Sequence, residues 1–112
     1  MDVLNFCPRY ERAVRMLAKP WTPLLIRSLL GGPRRFSEIR AYIGEISDRL
    51  LSQRLKELER EGIIVRRVIP TTPVRIEYSL TPKGRELEEV VRALQAWADR
   101  WVELEPATPG PR

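Results

Sequence analysis

Apolar positions along this chain recur at helical spacing in four successive segments, give way to two runs rich in β-branched residues, and return to helical spacing near the end. Pro8 stands where a first helical residue would. Tyr10, Ala13, Val14 and Leu17 then follow three or four apart until Lys19-Pro20 stops the run. A second helix opens after Thr22, whose hydroxyl can cap it with Pro23 in the first turn. It carries Leu25, Ile26, Leu29 and Leu30 to a stop at Gly31-Gly32-Pro33. Phe36, Ile39, Tyr42 and Ile43 make a short third helix ending at Gly44, a residue that tolerates the left-handed backbone of a tight exit. After the turn Gly44-Glu45-Ile46, Ser47 caps a fourth helix that runs to about Glu61 and is stopped by Gly62. Leu50, Leu51, Leu55 and Leu58 lie on one face of it.

The runs from Ile63 to Ile69 and from Val74 to Leu80 flank Pro70-Thr71-Thr72-Pro73 and predict a β-hairpin with a stiff, projecting tip. Thr81 with Pro82 then starts a last helix, whose apolar positions Leu87, Val90, Val91, Leu94, Trp97, Ala98, Trp101 and Leu104 persist for over five turns. The expected order is α-α-α-α-β-β-α, a mainly α fold with a small β-hairpin. A short Gly-containing turn makes the third and fourth helices a helix-turn-helix candidate, and with the hairpin as wing the expected fold is a winged helix-turn-helix. Residues 1–105 are expected to form one such domain, with dimerisation helices at both ends, and residues 106–112 a flexible tail.

Composition narrows the chemistry. With 112 residues the chain can bury one modest core, and its ordinary share of apolar side chains argues against disorder. The longest apolar stretch, Leu24 to Leu30, is interrupted by Arg27 and Ser28 and is too short to span a bilayer. The N-terminus lacks a signal-peptide pattern, so the expected location is cytoplasmic. Cys7 is the only cysteine and there is no histidine, which leaves neither an intramolecular disulfide nor a plausible zinc site. Without a metal cluster or a Gly-rich phosphate loop, no cofactor is expected and the chain does not read as an enzyme.

Charge is distributed unevenly. Residues 1–75 carry 15 basic and 8 acidic side chains, for a net +7, whereas residues 76–112 carry 5 and 7, for −2. On a helical wheel Arg49, Ser52, Gln53, Lys56 and Arg60 gather opposite the leucines of the fourth helix. An α-helix fits the DNA major groove. There arginine and lysine pair with guanine, glutamine with adenine and serine with either, so this face has the chemistry for reading base edges in double-stranded DNA. The plainer reading is a solvated helix face. Ser47 would turn backbone N–H groups toward a phosphate, and Arg34 and Arg35 precede the helix that would cross the DNA backbone. Arg54 falls on the leucine side and needs a carboxylate partner, for which Glu38, Glu57 and Glu61 are available.

In the hairpin Arg75 sits beside the tip and Arg66 and Arg67 lie on the incoming strand, placed to enter a minor groove or clamp a phosphate; charge that protects an edge strand is the alternative. The last helix is more apolar than a small monomer needs. Leu87, Val91, Leu94, Trp97 and Trp101 form a candidate dimer interface, against the simpler option of packing within one domain. Cys7 precedes Pro8 at a helix start beside Arg9, where the helix dipole and the cation favour negative charge. It is a candidate sensor thiol, or else a small apolar filler.

Several stretches together resemble the HxlR-type family of winged helix-turn-helix regulators, related to the MarR group. They are Cys7-Pro8, Lys19-Pro20-Trp21, the run from Gly32 to Ile39, Ile46-Ser47, the run from Leu51 to Leu58, Gly62-Ile63, and the run from Val74 to Gly84. The resemblance covers about residues 6–103. It implies a dimeric DNA-binding regulator with the fourth helix in the major groove, the hairpin as wing and the terminal helices as dimer interface. Cys7-Pro8 together with Ala96 to Asp99 is similar to the quinone- and electrophile-sensing repressors of the family, which implies a small electrophile or oxidant as effector. Some of those sensors carry another cysteine in or after the last helix. This chain does not, which leaves alkylation of Cys7, a mixed disulfide, or a Cys7 to Cys7 bridge across the dimer with Cα atoms within about 7 Å. A winged-helix module that binds an acidic protein instead of DNA is the competing reading.

Overall fold

The computed structural model describes residues 6–104. The first five residues, and the tail expected at 106–112, lie outside that range. Along the chain the elements are α1 (Pro8–Leu17), α2 (Thr22–Leu29), α3 (Phe36–Ile43), α4 (Asp48–Arg60), β1 (Ile64–Ile69), β2 (Arg75–Leu80), α5 (Pro82–Arg85) and α6 (Glu88–Trp101). β1 and β2 pair antiparallel with Ile64 opposite Leu80 and Ile69 opposite Arg75. This is the expected order, with one addition at its end.

The core is built where the periodicity placed it. Leu25, Ile26 and Leu29 of α2, Ile39 of α3, and Leu51, Leu55 and Leu58 of α4 are buried together with Ile46, Ile63, Ile64 and Leu80. Each fully buried leucine or isoleucine contributes about 1.5–3 kcal/mol by leaving water. The core therefore fixes α4 by its leucine face and leaves the opposite face outward. Gly44, with φ 94°, and Gly62, with φ 73°, turn the chain at the exits of α3 and α4 in a backbone region that side chains disfavour.

Two expectations are corrected. The cap of α2 is Trp21, not Thr22: the Lys19-Pro20 turn, closed by the Thr22 N–H on the Lys19 carbonyl, sets Trp21 at φ 73° and buries Thr22 inside the helix. The last helix is divided. Thr81 Oγ1 accepts from the Gly84 N–H, and the Leu87 N–H reaches back only three residues, to the Gly84 carbonyl, so α5 closes after one turn and α6 begins at Glu88. Leu104 lies beyond the end of α6 and is exposed.

Candidate nucleic-acid interface

Because Leu51, Leu55 and Leu58 are committed to the core, helical geometry carries Arg49, Gln53, Lys56 and Arg60 to the exposed side of α4, with Ser52 half-buried beside them. Ser47 caps the helix, its Oγ accepting from the Leu50 N–H at 3.1 Å. Asp48, the first residue of α4, pairs with Arg40 of α3 at 2.9 Å. That pair joins the two halves of the helix-turn-helix and places a carboxylate at the helix start that the sequence reading did not weigh.

Arg54 is buried and has the carboxylate partner its position demanded. Its Nε donates to the Pro20 carbonyl at 2.9 Å and its Nη1 to Glu57 at 3.0 Å. Lys19 approaches the same carboxylate at 3.4 Å. Burial works against the charge on Glu57, but the Arg54 guanidinium, a hydrogen bond from Gln53 and the Lys19 ammonium outweigh it and hold the carboxyl below its ordinary value.

Arg34 and Arg35 are adjacent in sequence and differ in role. Arg34 exchanges two backbone hydrogen bonds with Tyr78, at 3.0 and 2.8 Å, and adds a short third rung to the hairpin. Its Nε donates to the Ser28 carbonyl at 2.6 Å and its guanidinium stacks over the Tyr42 ring. This anchors the wing to the helices, an internal role the phosphate assignment did not foresee. Arg35 is exposed at the start of α3, where its N–H donates to Glu38 Oε1 at 2.8 Å. With Arg75 and the tip residues Thr71 to Val74 it lines a shallow groove.

The strand register separates the two wing arginines. Residues directly opposite in an antiparallel pair share a face. Arg66, opposite Tyr78, is therefore on the face of buried Ile64 and Leu80, and Arg75, opposite Ile69, is on the other face with Arg67 and Glu77. Only Arg75 joins Arg35 at the groove.

The candidate dimer residues divide as well. Leu87 and Val91 are half-buried against the core. Leu94, Trp97 and Trp101 are 58%, 58% and 64% exposed, and Phe6, Tyr10 and Val14 of the N-terminal segment are exposed too. Neither α1 nor α6 buries a single residue completely. Cys7 is half-buried at the start of α1, its carbonyl accepting from the Glu11 N–H at 3.0 Å. Among the described residues no group of side chains could hold a metal ion, and no helix is long and apolar enough to cross a membrane.

Residues 16–106 match the HxlR-like helix-turn-helix family. The chain is 50% identical over 103 residues to YvaP of Bacillus subtilis, an HTH-type transcriptional regulator, covering 92% of this chain and 95% of that one. It is 47% identical over 99 residues to the B. subtilis transcriptional regulator YodB, covering 88% of each. The reduced form of YodB aligns with a TM-score of 0.80 at 45% identity, over 91% of this chain and all of that one. The quinone-bound form aligns at 0.76 and 43%, over 86% and 100%.

Proposed function

The chain belongs to the HxlR-like helix-turn-helix family, and from that premise we propose that it is a DNA-binding transcriptional regulator, a repressor that occupies a palindromic operator as a homodimer. The observation that carries this reading is the outward face of α4, where Arg49, Gln53 and Lys56 stand clear of a leucine face sealed into the core. In the major groove those side chains meet base edges, while Ser47, Arg35 and Arg75 meet flanking phosphates. Ser52, half-buried, sits at the margin of the same face, and Arg66 reaches DNA from the opposite side of the wing.

Two copies are needed to read two half-sites one helical turn apart. The exposed apolar side chains of α1 and α6, with Trp97 and Trp101 foremost, are the surface through which a second copy packs.

Gln53→Ala is expected to cost about 1–3 kcal/mol at one base pair and to relax specificity there. Arg75→Ala is expected to weaken all sequences evenly and to lower the salt slope by about 1. Binding isotherms on the chain's own upstream DNA and its single-base-pair variants check both. Equal affinity of Gln53→Ala and wild type for every variant would remove Gln53 from the base-reading set.

Regulation is assigned to Cys7, at the start of a helix whose apolar side awaits a partner. The support is the likeness to YodB, of which a quinone-bound structure exists. Conjugate addition of the thiolate to a quinone forms a C–S bond, sends the electron pair to the ring oxygen and takes up one proton there, with no leaving group. Treatment of wild type with a benzoquinone is expected to weaken operator binding about 5- to 150-fold, the usual range of allosteric coupling. Cys7→Ser should not respond. Wild-type binding that survives treatment unchanged rejects the sensor role.

A further inference from the structure

We infer that Glu57 sets the base preference of the interface by fixing which way round the Gln53 amide is presented to DNA, and so acts as a positioning residue for base readout. Gln53 and Glu57 are one turn apart on α4, and Gln53 Nε2 donates to Glu57 Oε2 at 3.4 Å. An ionised carboxylate can only accept hydrogen bonds, whereas a glutamine amide has a donor end and an acceptor end of nearly equal shape. Beside Glu57 the two amide orientations are therefore unequal. One directs Nε2 at the carboxylate, and the other sets Oε1 against it, lone pair to lone pair.

The favoured orientation uses one Nε2 hydrogen on Glu57 and leaves the second hydrogen and Oε1 for an outside partner. That is the donor and acceptor pair which adenine requires, Nε2 to its N7 and its N6 amino group to Oε1. Glu57 remains an acceptor because Arg54 Nη1 at 3.0 Å and Lys19 Nζ at 3.4 Å neutralise its charge. The carboxylate is also held in place, since Arg54 is itself anchored on the Pro20 carbonyl at 2.9 Å. An amide oriented before binding loses less freedom on contact, which raises discrimination without adding a contact to DNA.

The inference rests on the assignment of Gln53 to a base pair, and a double-mutant cycle separates the two. Affinities for the upstream duplex and for versions altered at single base pairs are measured with wild type, Gln53→Ala, Glu57→Gln and the double variant, each expressed as a ratio to random duplex on the same sample. The ratio cancels any loss of folded protein. Glu57→Gln, whose amide can both donate and accept, is expected to lower discrimination about 3- to 10-fold at the base pair that Gln53→Ala affects, a coupling typical of directly bonded neighbours. In the Gln53→Ala background it should lower discrimination no further. Glu57→Asp, which keeps a charge for Arg54 but withdraws the carboxylate from Gln53, serves if Glu57→Gln does not fold, and is expected to act in the same direction.

Full discrimination in Glu57→Gln or Glu57→Asp overturns the inference while leaving Gln53 as a base contact. Loss of discrimination that persists undiminished in the Gln53→Ala background also overturns it, because Glu57 would then act by another route. No effect of Gln53→Ala at any base pair overturns the base-contact assignment and this inference together.

Discussion

Gly84→Ala is expected to destabilise the fold by about 3 kcal/mol or more, at the upper end of overpacking effects, because the space for a methyl group is already filled by backbone. A Cβ at this position would lie 2.2 Å from the Ile63 carbonyl oxygen and 3.1 Å from both the carbon of that carbonyl and Leu80 Cδ2. The carbonyl is held in place by the Thr81 N–H at 3.0 Å, while the Thr81 hydroxyl donates to the neighbouring Gly62 carbonyl at 2.5 Å. Lys83 adds to the same junction by donating to the Glu61 carbonyl at the end of α4, at 2.6 Å. The close approach thus locks the end of α4 to the wing and to α5. Thermal unfolding should fall by roughly 10–15 °C for a domain of this size. A midpoint within about 2 °C of wild type would show that the junction relaxes and that the close packing of α5 is not needed.

Arg54→Ala is expected to cost about 3 kcal/mol, the lower end for breaking a buried ion pair, since Glu57 keeps Lys19 as a second partner. What is lost is the bond to the Pro20 carbonyl, the bond to Glu57 and the packing of the guanidinium stem, in a residue only 8% exposed. Arg12→Ala is the control. Its pair with Glu61 has a similar length, 2.9 Å, but the Arg12 side chain is 78% exposed, so less than about 1 kcal/mol should follow. The pH dependence has a definite sign. The Glu57 carboxyl lies below its ordinary value of 4.5, so its contribution is complete above that pH and is lost as pH falls through the lower folded value. The stability gap between wild type and Arg54→Ala should therefore narrow in acid below about pH 4.5, and a gap constant down to the acid transition would contradict the assignment.

Where a residue's role follows from local geometry, the sequence was informative. Periodicity placed α1 to α4 and both strands to within a residue or two, because the leucines of α4 and the apolar side of α2 face one core. The Ser47 cap, the Gly44 and Gly62 exits and the burial of Arg54 with a carboxylate were legible for the same reason. What escaped detection depends on residues far apart in the chain. Nothing near Arg34 announces its backbone pairing with Tyr78, and the opposite faces taken by Arg66 and Arg75 follow from a register that only the folded hairpin defines. The division between α5 and α6 follows from the Thr81 cap on the Gly84 N–H and the short Leu87 N–H bond to the Gly84 carbonyl, which helical periodicity cannot register. A glycine inside an apolar-periodic segment was the signal available for it. The Gln53 to Glu57 contact was open to inspection as a pair four residues apart, a spacing that brings side chains together on a helix.

The central claim is that two copies of α4 present their polar faces to adjacent turns of one DNA duplex. Titration of the chain's own upstream duplex, followed by anisotropy at several salt concentrations and by the mass of the complex, tests it most directly. The expected result is two protomers per duplex, an affinity at least about 1,000-fold tighter than for random duplex, and steep weakening as salt rises. One protomer per duplex, equal affinity for both DNAs, or binding indifferent to salt would contradict it.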